Sequence, residues 1–374
     1  MIAISKPVTG PEEIAAMSKV FDSGWLGLGA TVQEFEEALK AYLGAKHVVA
    51  VNTGTSAIHL ALAALKLKPG DEVIVPSITF GACVQSILQA GGTPVFAESR
   101  AEDLLLDVDD VERKLTSRTK AVMPVHYCGN PCDLERLRAL GKAKGFVVVE
   151  DAAHALGSDY KGGKIGGTGK LVCFSFDPIK NITTGEGGAV ATDDDALAED
   201  MRRMRILGID KETWRRYNNT RGYLYEITSD GFRYHMPNFC AAVGLVQMKK
   251  LPGFVARRRE IAKRYDAAFK GLPGLMTLTV DYATVAPHIY IVRVDAARRE
   301  AHMEALKAKG VATGVHYIAN HIQPYFKPFV RTPLPVADRL WQEIMTIPLH
   351  CGMTDADVET VIGAVKGLFA RQAA

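Results

Sequence analysis

The chain has no uninterrupted apolar run of the ~20 residues that a membrane-spanning helix requires, so no membrane segment is expected. It also lacks a strong charge of either sign. The formal net charge is +3, and no basic tract interleaved with aromatics occurs, which argues against a nucleic-acid partner. There is no tandem repeat and no low-complexity linker. The opening stretch, "MIAISKPVTGPEEIAAM", shows no basic segment followed by an apolar one, so a secretory signal is not expected. Cysteine is sparse and scattered, at 83, 128, 132, 173, 240 and 351. Such spacing suggests reduced, mostly buried thiols in a cytoplasm and not a disulfide framework. Cys128 and Cys132 form the closest pair, but no second pair completes a zinc site, so no metal is expected.

What is present is the composition of a globular protein, 48% hydrophobic and 23% charged, over 374 residues. That length suits two domains better than one core. From about 47 to 192, short apolar runs alternate with helical periods. "KHVVAVN", "EVIVP", "TPVFAE", "TKAVMPVH", "FVVVED", "LVCFSF" and "GGAVATDD" read as strands. "SAIHLALAALKL", "GACVQSILQAGG" and "DLERLRALGKAKG" read as helices. Strands alternating with helices predict an α/β fold whose mostly parallel sheet is covered on both faces. After about 245 the texture changes to one or two long amphipathic helices, short strands such as "HIYIVRV" and "ATGVHYI", and further helices. The expected division is a large domain over 1–245 and a smaller α/β domain over 246–374.

Three strand ends could carry chemistry. At Thr53-Gly54-Thr55-Ser56 a strand gives way to a helix. Free amides there, with two hydroxyls, suit a phosphate, and the same residues also suit ordinary helix capping. Asp151, in "VVVEDAAHALG", ends an expected central strand, at the edge where open parallel sheets bind ligands. A buried carboxylate needs a partner, and a helix-capping role is its plainer alternative. Lys180 follows "LVCFSF" and Pro178, beside many small residues. Burial can lower a lysine's pKa and make it a nucleophile toward a carbonyl. A phosphate, a ring nitrogen facing Asp151 and an aldehyde facing Lys180 are the three groups of pyridoxal 5'-phosphate.

The segments "NTGTSAIHLAL", "EDAAHALG" and "CFSFDPIKNITTGEGGAVATDD" together resemble the DegT/DnrJ/EryC1/StrS family of pyridoxal-phosphate-dependent sugar aminotransferases. The likeness begins at "SGWLGLGATVQEFEEALKAYLGAKH" and continues to "TIPLHCGMTDADVETVI". It implies a fold-type I architecture with Lys180 as the Schiff-base lysine and proton carrier, and Asp151 as the partner of the pyridine nitrogen. It further implies His154 near the phenolic oxygen, and Gly54, Thr55, Ser56 and Ser175 at the phosphate. Phe80 would stack on the ring. His316, Asn320 and His321 would border the sugar. Family members commonly carry "GYNYRM", whose Asn reaches the neighbouring subunit's phosphate. This chain has "GFRYHM", with Arg233 in place of that Asn and His235 in place of the Arg. Arg233 could meet the phosphate or turn to the substrate. Relatives that replace the lysine with histidine are dehydratases, so retention of Lys180 favours transamination.

The resemblance thus implies transfer of an amino group from an amino acid, glutamate, to a nucleotide-linked keto-deoxysugar, in a cytoplasmic homodimer with shared active sites. Alternatives within it are a cyclitol or aminobenzoate precursor as acceptor, or a regulator that binds the cofactor without turnover. Two weaker signals lead elsewhere. "GGKIGGTGK" has the wrong glycine spacing for a phosphate loop and reads as a hairpin, and "RRRE" at 257–260 reads as a solvated helix face.

Overall fold

The computed structural model describes residues 1–210 and 225–369. Helices α1 (Pro11–Asp22) and α2 (Ala30–Leu43) precede β1 (His47–Val51). There follow α3 (Gly54–Ala64), β2 (Glu72–Pro76), α4 (Gly81–Gln89), β3 (Thr93–Ala97), α5 (Val108–Lys114), β4 (Thr119–Val122), α6 (Leu134–Lys144) and β5 (Val147–Asp151). A hairpin of β6 (Asp159–Tyr160) and β7 (Gly163–Lys164) leads to β8 (Leu171–Ser175), β9 (Gly188–Thr192) and α7 (Asp195–Met204). Local signals set these limits. Asp133 caps α6 through the Arg136 amide at 3.2 Å, and Gly145 ends it in the left-handed region at φ 83°.

Among the described residues the main sheet has seven strands in the order β1-β9-β8-β5-β4-β2-β3. Its ladders are parallel except for those of β9, which runs antiparallel to both β1 and β8. The mostly parallel sheet expected from the sequence is therefore present. Its strands are buried on both faces, which is why they read as runs of Val, Ile and Ala without polar alternation. Helix α3 is buried nearly all round, through Ala57, Ile58, Leu60, Ala61 and Leu62.

One long helix, Asn238–Phe269, runs through Pro252 and packs on α1 and α2. It is long and apolar enough to cross a membrane by length and composition, but here it is a core helix with Leu251, Val255, Ile261 and Tyr265 buried. A boundary near 245 would fall inside it. Beyond it, β10 (Leu275–Thr277), β11 (Tyr290–Val294) and β12 (Ile344–Ile347) form an antiparallel sheet backed by helices Arg299–Ala308 and Asp355–Phe369. The first residues join this second unit: Ile2 bridges Val311, and the Leu349 amide donates to the Ile4 carbonyl at 3.0 Å.

Two local expectations change. "ATGVHYI" is not a strand: Gly314 and Thr346 exchange two backbone hydrogen bonds, and the chain then turns away. "RRRE" is not wholly solvated. Arg258 is buried and donates to the carbonyls of His288 and Leu349, at 2.9 and 3.1 Å.

Candidate active site

The carboxyl ends of β1, β5 and β8, and the start of the reversed β9, meet at one edge of the sheet. At the end of β1, Thr53 caps α3 by accepting from the Ser56 amide at 2.9 Å, with its hydroxyl 2.8 Å from that of Ser56. The capping reading is therefore true, yet it leaves work undone. Among the described residues nothing meets the amides of Gly54 and Thr55, which stand free at the positive end of the helix. Ser175 closes against this turn. A Cβ at Gly54 would lie 2.6 Å from that of Ser175, so only glycine allows the approach. The result is a narrow cradle of amides and hydroxyls.

Asp151 is buried at the end of β5. The Ala153 amide donates to its Oδ1 at 2.9 Å and the Cys83 thiol to its Oδ2 at 3.0 Å. Among the described residues it forms no ion pair, so a buried negative charge stands ready for a cationic partner. Lys180 follows β8 on a turn whose Asp177 carbonyl accepts from the Lys180 amide at 3.0 Å. Burial lowers the lysine's pKa, and the charges of Asp151 and Asp177 oppose that shift. No hydrogen bond engages its Nζ among the described residues.

His154 is buried beside them. Its Nε2 lies 3.1 Å from the Tyr317 hydroxyl, while its Nδ1 is buried without a partner. Burial, with Lys180 and His316 nearby, holds the imidazole well below its usual pKa, so it is neutral. The His288 ring lies against it, tilted, at 4.3 Å between ring centres, and is also held neutral by burial. Phe80, at the start of α4, is 62% exposed, with the Tyr317 ring 5.8 Å away. An exposed aromatic ring beside the site is free to cover a planar ligand.

The three residues expected at the sugar separate here. His316 stays beside the site, its Nδ1 2.8 Å from the Thr346 hydroxyl and its pKa lowered by burial and by Lys180. Asn320 instead donates to the carbonyls of Ser77 and Thr79, at 3.0 and 2.6 Å. His321 contacts the Ser77 hydroxyl at 2.7 Å and Asp338 at 2.9 Å. Both pin the loop that carries Phe80. Arg233 is exposed and, with Trp25, Leu26, Ile206 and His235, lines a cavity of about 280 Å³. Its segment runs beside the end of β1, where the Asn52 amide donates to the Tyr234 carbonyl at 2.7 Å.

Sequence reading missed Cys83, His288 and Tyr317. Cys83 lies three residues after Phe80 and Tyr317 directly after His316, so neighbourhood was the available signal. His288 carried none.

A half-buried lysine whose pKa desolvation lowers, near a buried carboxylate and beside an amide cradle and an open aromatic, suits a pyridoxal-phosphate-dependent aminotransferase. The comparisons agree, and the chain belongs to the DegT/DnrJ/EryC1/StrS aminotransferase family, whose sequence model matches residues 7–366. It is 40% identical to the spore coat polysaccharide biosynthesis protein SpsC of Bacillus subtilis, over 97% of this chain and 96% of that one. Among solved structures it resembles the aminotransferase TlmJ of Streptoalloteichus hindustanus, with TM-score 0.93, 36% identity and full coverage of both chains. It also resembles Helicobacter pylori PseC, an aminotransferase involved in the biosynthesis of pseudoaminic acid, with TM-score 0.92, 30% identity and 99% coverage of both. The residues present fit the family's cofactor. The free amides suit its phosphate, the unpaired Asp151 its ring nitrogen, and the orphan Nδ1 of His154 its phenolic oxygen.

Proposed function

We propose that this enzyme moves an amino group from L-glutamate to a nucleotide-linked keto-deoxysugar, and that Lys180 bonds covalently to the cofactor's aldehyde between turnovers. The observation that carries the reading is the Lys180 Nζ, its pKa lowered by desolvation and without a hydrogen bond among the described residues, in the field of the buried Asp151. Sugar chemistry is supported by the relatives, which include a spore coat polysaccharide protein and an enzyme of pseudoaminic acid biosynthesis.

Gly54, Thr55, Ser56 and Ser175 hold the phosphate. Asp151 would keep the ring nitrogen protonated, His154 would offer Nδ1 to the phenolic oxygen, and Phe80 would cover the ring. Pyridoxal phosphate supplies an electron sink for the charge left when a proton leaves the carbon that bears the nitrogen. Lys180 Nζ would accept that proton and return it on the other side of the transfer. Its lowered pKa leaves a larger share of neutral amine to do so.

The working unit in this reading is a cytoplasmic homodimer with shared sites. Arg233 reaches from one protomer toward the phosphate held by its partner. The six free cysteines accord with a reducing compartment. The test is a set of keto-sugar nucleotides incubated with glutamate and read by mass spectrometry. An aminated sugar is expected; amination only of a free cyclitol or an aminobenzoate precursor would overturn the substrate assignment.

A further inference from the structure

We propose that Cys83 is a positioning residue whose thiol, by donating to Oδ2 of Asp151, sets the orientation of the carboxylate that faces the cofactor. The proposal rests on the reading of Asp151 as partner of the ring nitrogen.

A carboxylate held by one hydrogen bond can still swivel. The bond from Ala153 to Oδ1 comes from Asp151's own turn, two residues on. The second anchor, at 3.0 Å on Oδ2, comes from a different element, the first turn of α4. β4 lies between β2 and β5 in the sheet, so the thiol ties together two units that are not neighbours in it. Behind the sulfur stands the Thr79 hydroxyl at 3.3 Å, placed to donate to sulfur and leave the thiol proton for Asp151. Cys83, Thr79 and Asp151 are 0%, 2% and 6% exposed, so water does not compete for these bonds. Burial, and then the negative charge of Asp151, pushes the thiol's pKa well up, which keeps the proton on sulfur. The loop that carries Thr79 and Phe80 is clamped by Asn320. One rigid turn therefore fixes both the ring-covering aromatic and the plane of the carboxylate. The plainer alternative is that Cys83 is merely a small core residue.

Full-length Cys83→Ala and Cys83→Ser proteins separate these readings. In cofactor-free protein, the infrared S–H band lost in Cys83→Ala is that of Cys83. It should move to higher wavenumber in Asp151→Asn, because an amide oxygen accepts more weakly than a carboxylate. Cofactor titration should show Cys83→Ala weakened on the order of three- to tenfold, with kcat lowered similarly and the acceptor KM unchanged. Cys83→Ser keeps a donor and should regain most of the loss. A band unmoved by Asp151→Asn overturns the hydrogen bond itself. Equal defects in the Ala and Ser variants, or wild-type behaviour of both, overturn the positioning role. An Asp151→Asn enzyme of normal rate whose band has moved overturns the proposal through the reading of Asp151 and not through the thiol, so the two failures are told apart.

Discussion

Replacing Gly54 with alanine puts a methyl group into the phosphate end of the site. An ideal Cβ there stands 2.6 Å from Cβ of Ser175, 2.8 Å from its Oγ and 3.2 Å from its Cα. Carbon contacts are comfortable from about 3.5 Å, so the neighbours have to part by roughly 0.9 Å. Turning the Ser175 hydroxyl away relieves only one of the three contacts. The Ser175 backbone cannot retreat, because it pairs with Gly188 in the β8–β9 ladder. Gly188 is itself pressed on the same turn, where an added Cβ would lie 2.7 Å from the Thr53 carbonyl carbon and 2.9 Å from Gly54 Cα. The start of α3 must therefore move. Overpacking of this kind costs about 1–3 kcal/mol, less a gain of up to ~1 kcal/mol from alanine's helix preference. Displaced amides of Gly54 and Thr55 should lose a charge-assisted hydrogen bond of about 1.5–3 kcal/mol, roughly ten- to a hundredfold in cofactor affinity. Urea unfolding of the cofactor-free protein reads the first effect and fluorescence titration with pyridoxal phosphate the second. Pyridoxal, which has no phosphate, should bind the variant and wild type alike. A Gly54→Ala protein with wild-type affinity for the phosphorylated cofactor would refute the assignment of the cradle.

Lys180→Ala should abolish amino transfer from glutamate and the visible absorbance of covalently held cofactor; turnover that persists with the true acceptor would sink that assignment. Burial depresses the pKa of His154 and His288, so as pH falls through 6.5 the unfolded chain takes up protons that the native chain refuses. Their contribution to stability is full above that pH and falls on acidification by about 1.4 kcal/mol per pH unit for each residue. His288→Asn should flatten the dependence measured by urea unfolding of cofactor-free protein, and an unchanged slope would show that His288 is protonated in the native state. Arg233→Ala should weaken cofactor binding roughly ten- to a hundredfold while the dimer persists in sedimentation. A raised acceptor KM with unchanged cofactor affinity would assign Arg233 to the substrate instead, and an active monomer would defeat both roles.

What could be read in the sequence follows from where periodicity stops. A strand buried on both faces is a run of apolar residues, and its end is visible because a polar residue breaks the run. Thr53, Asp151 and Lys180 each stand at or just beyond such a break, so the elements that present them and their place at one sheet edge were legible. The direction of β9 was not. "GGAVATDD" reads the same in either sense, and the irregular stretch before it, which holds Lys180, carries no signature of a hairpin turn. Arg258 shows the same limit on a helix: its type suggested solvent, while its buried guanidinium donates to two carbonyls from distant segments.

Residues that approach the site sideways were harder still. Cys83, His288 and Tyr317 come from three separate segments, and what makes them matter is a partner far away in the chain: Asp151 for the first, His154 for the other two. No local pattern encodes such a pairing. Asn320 and His321 illustrate the converse, since their residue types suit a polar ligand but the loop at Ser77–Thr79 takes up their side-chain nitrogens. In the proposed reading the strand ends face the cofactor, whose groups are the same throughout the reaction class, and the loops, whose shape has no period to read, face the acceptor. The reaction class was thus legible in this chain before its substrate, because a strand end is marked in the sequence and a loop's shape is not.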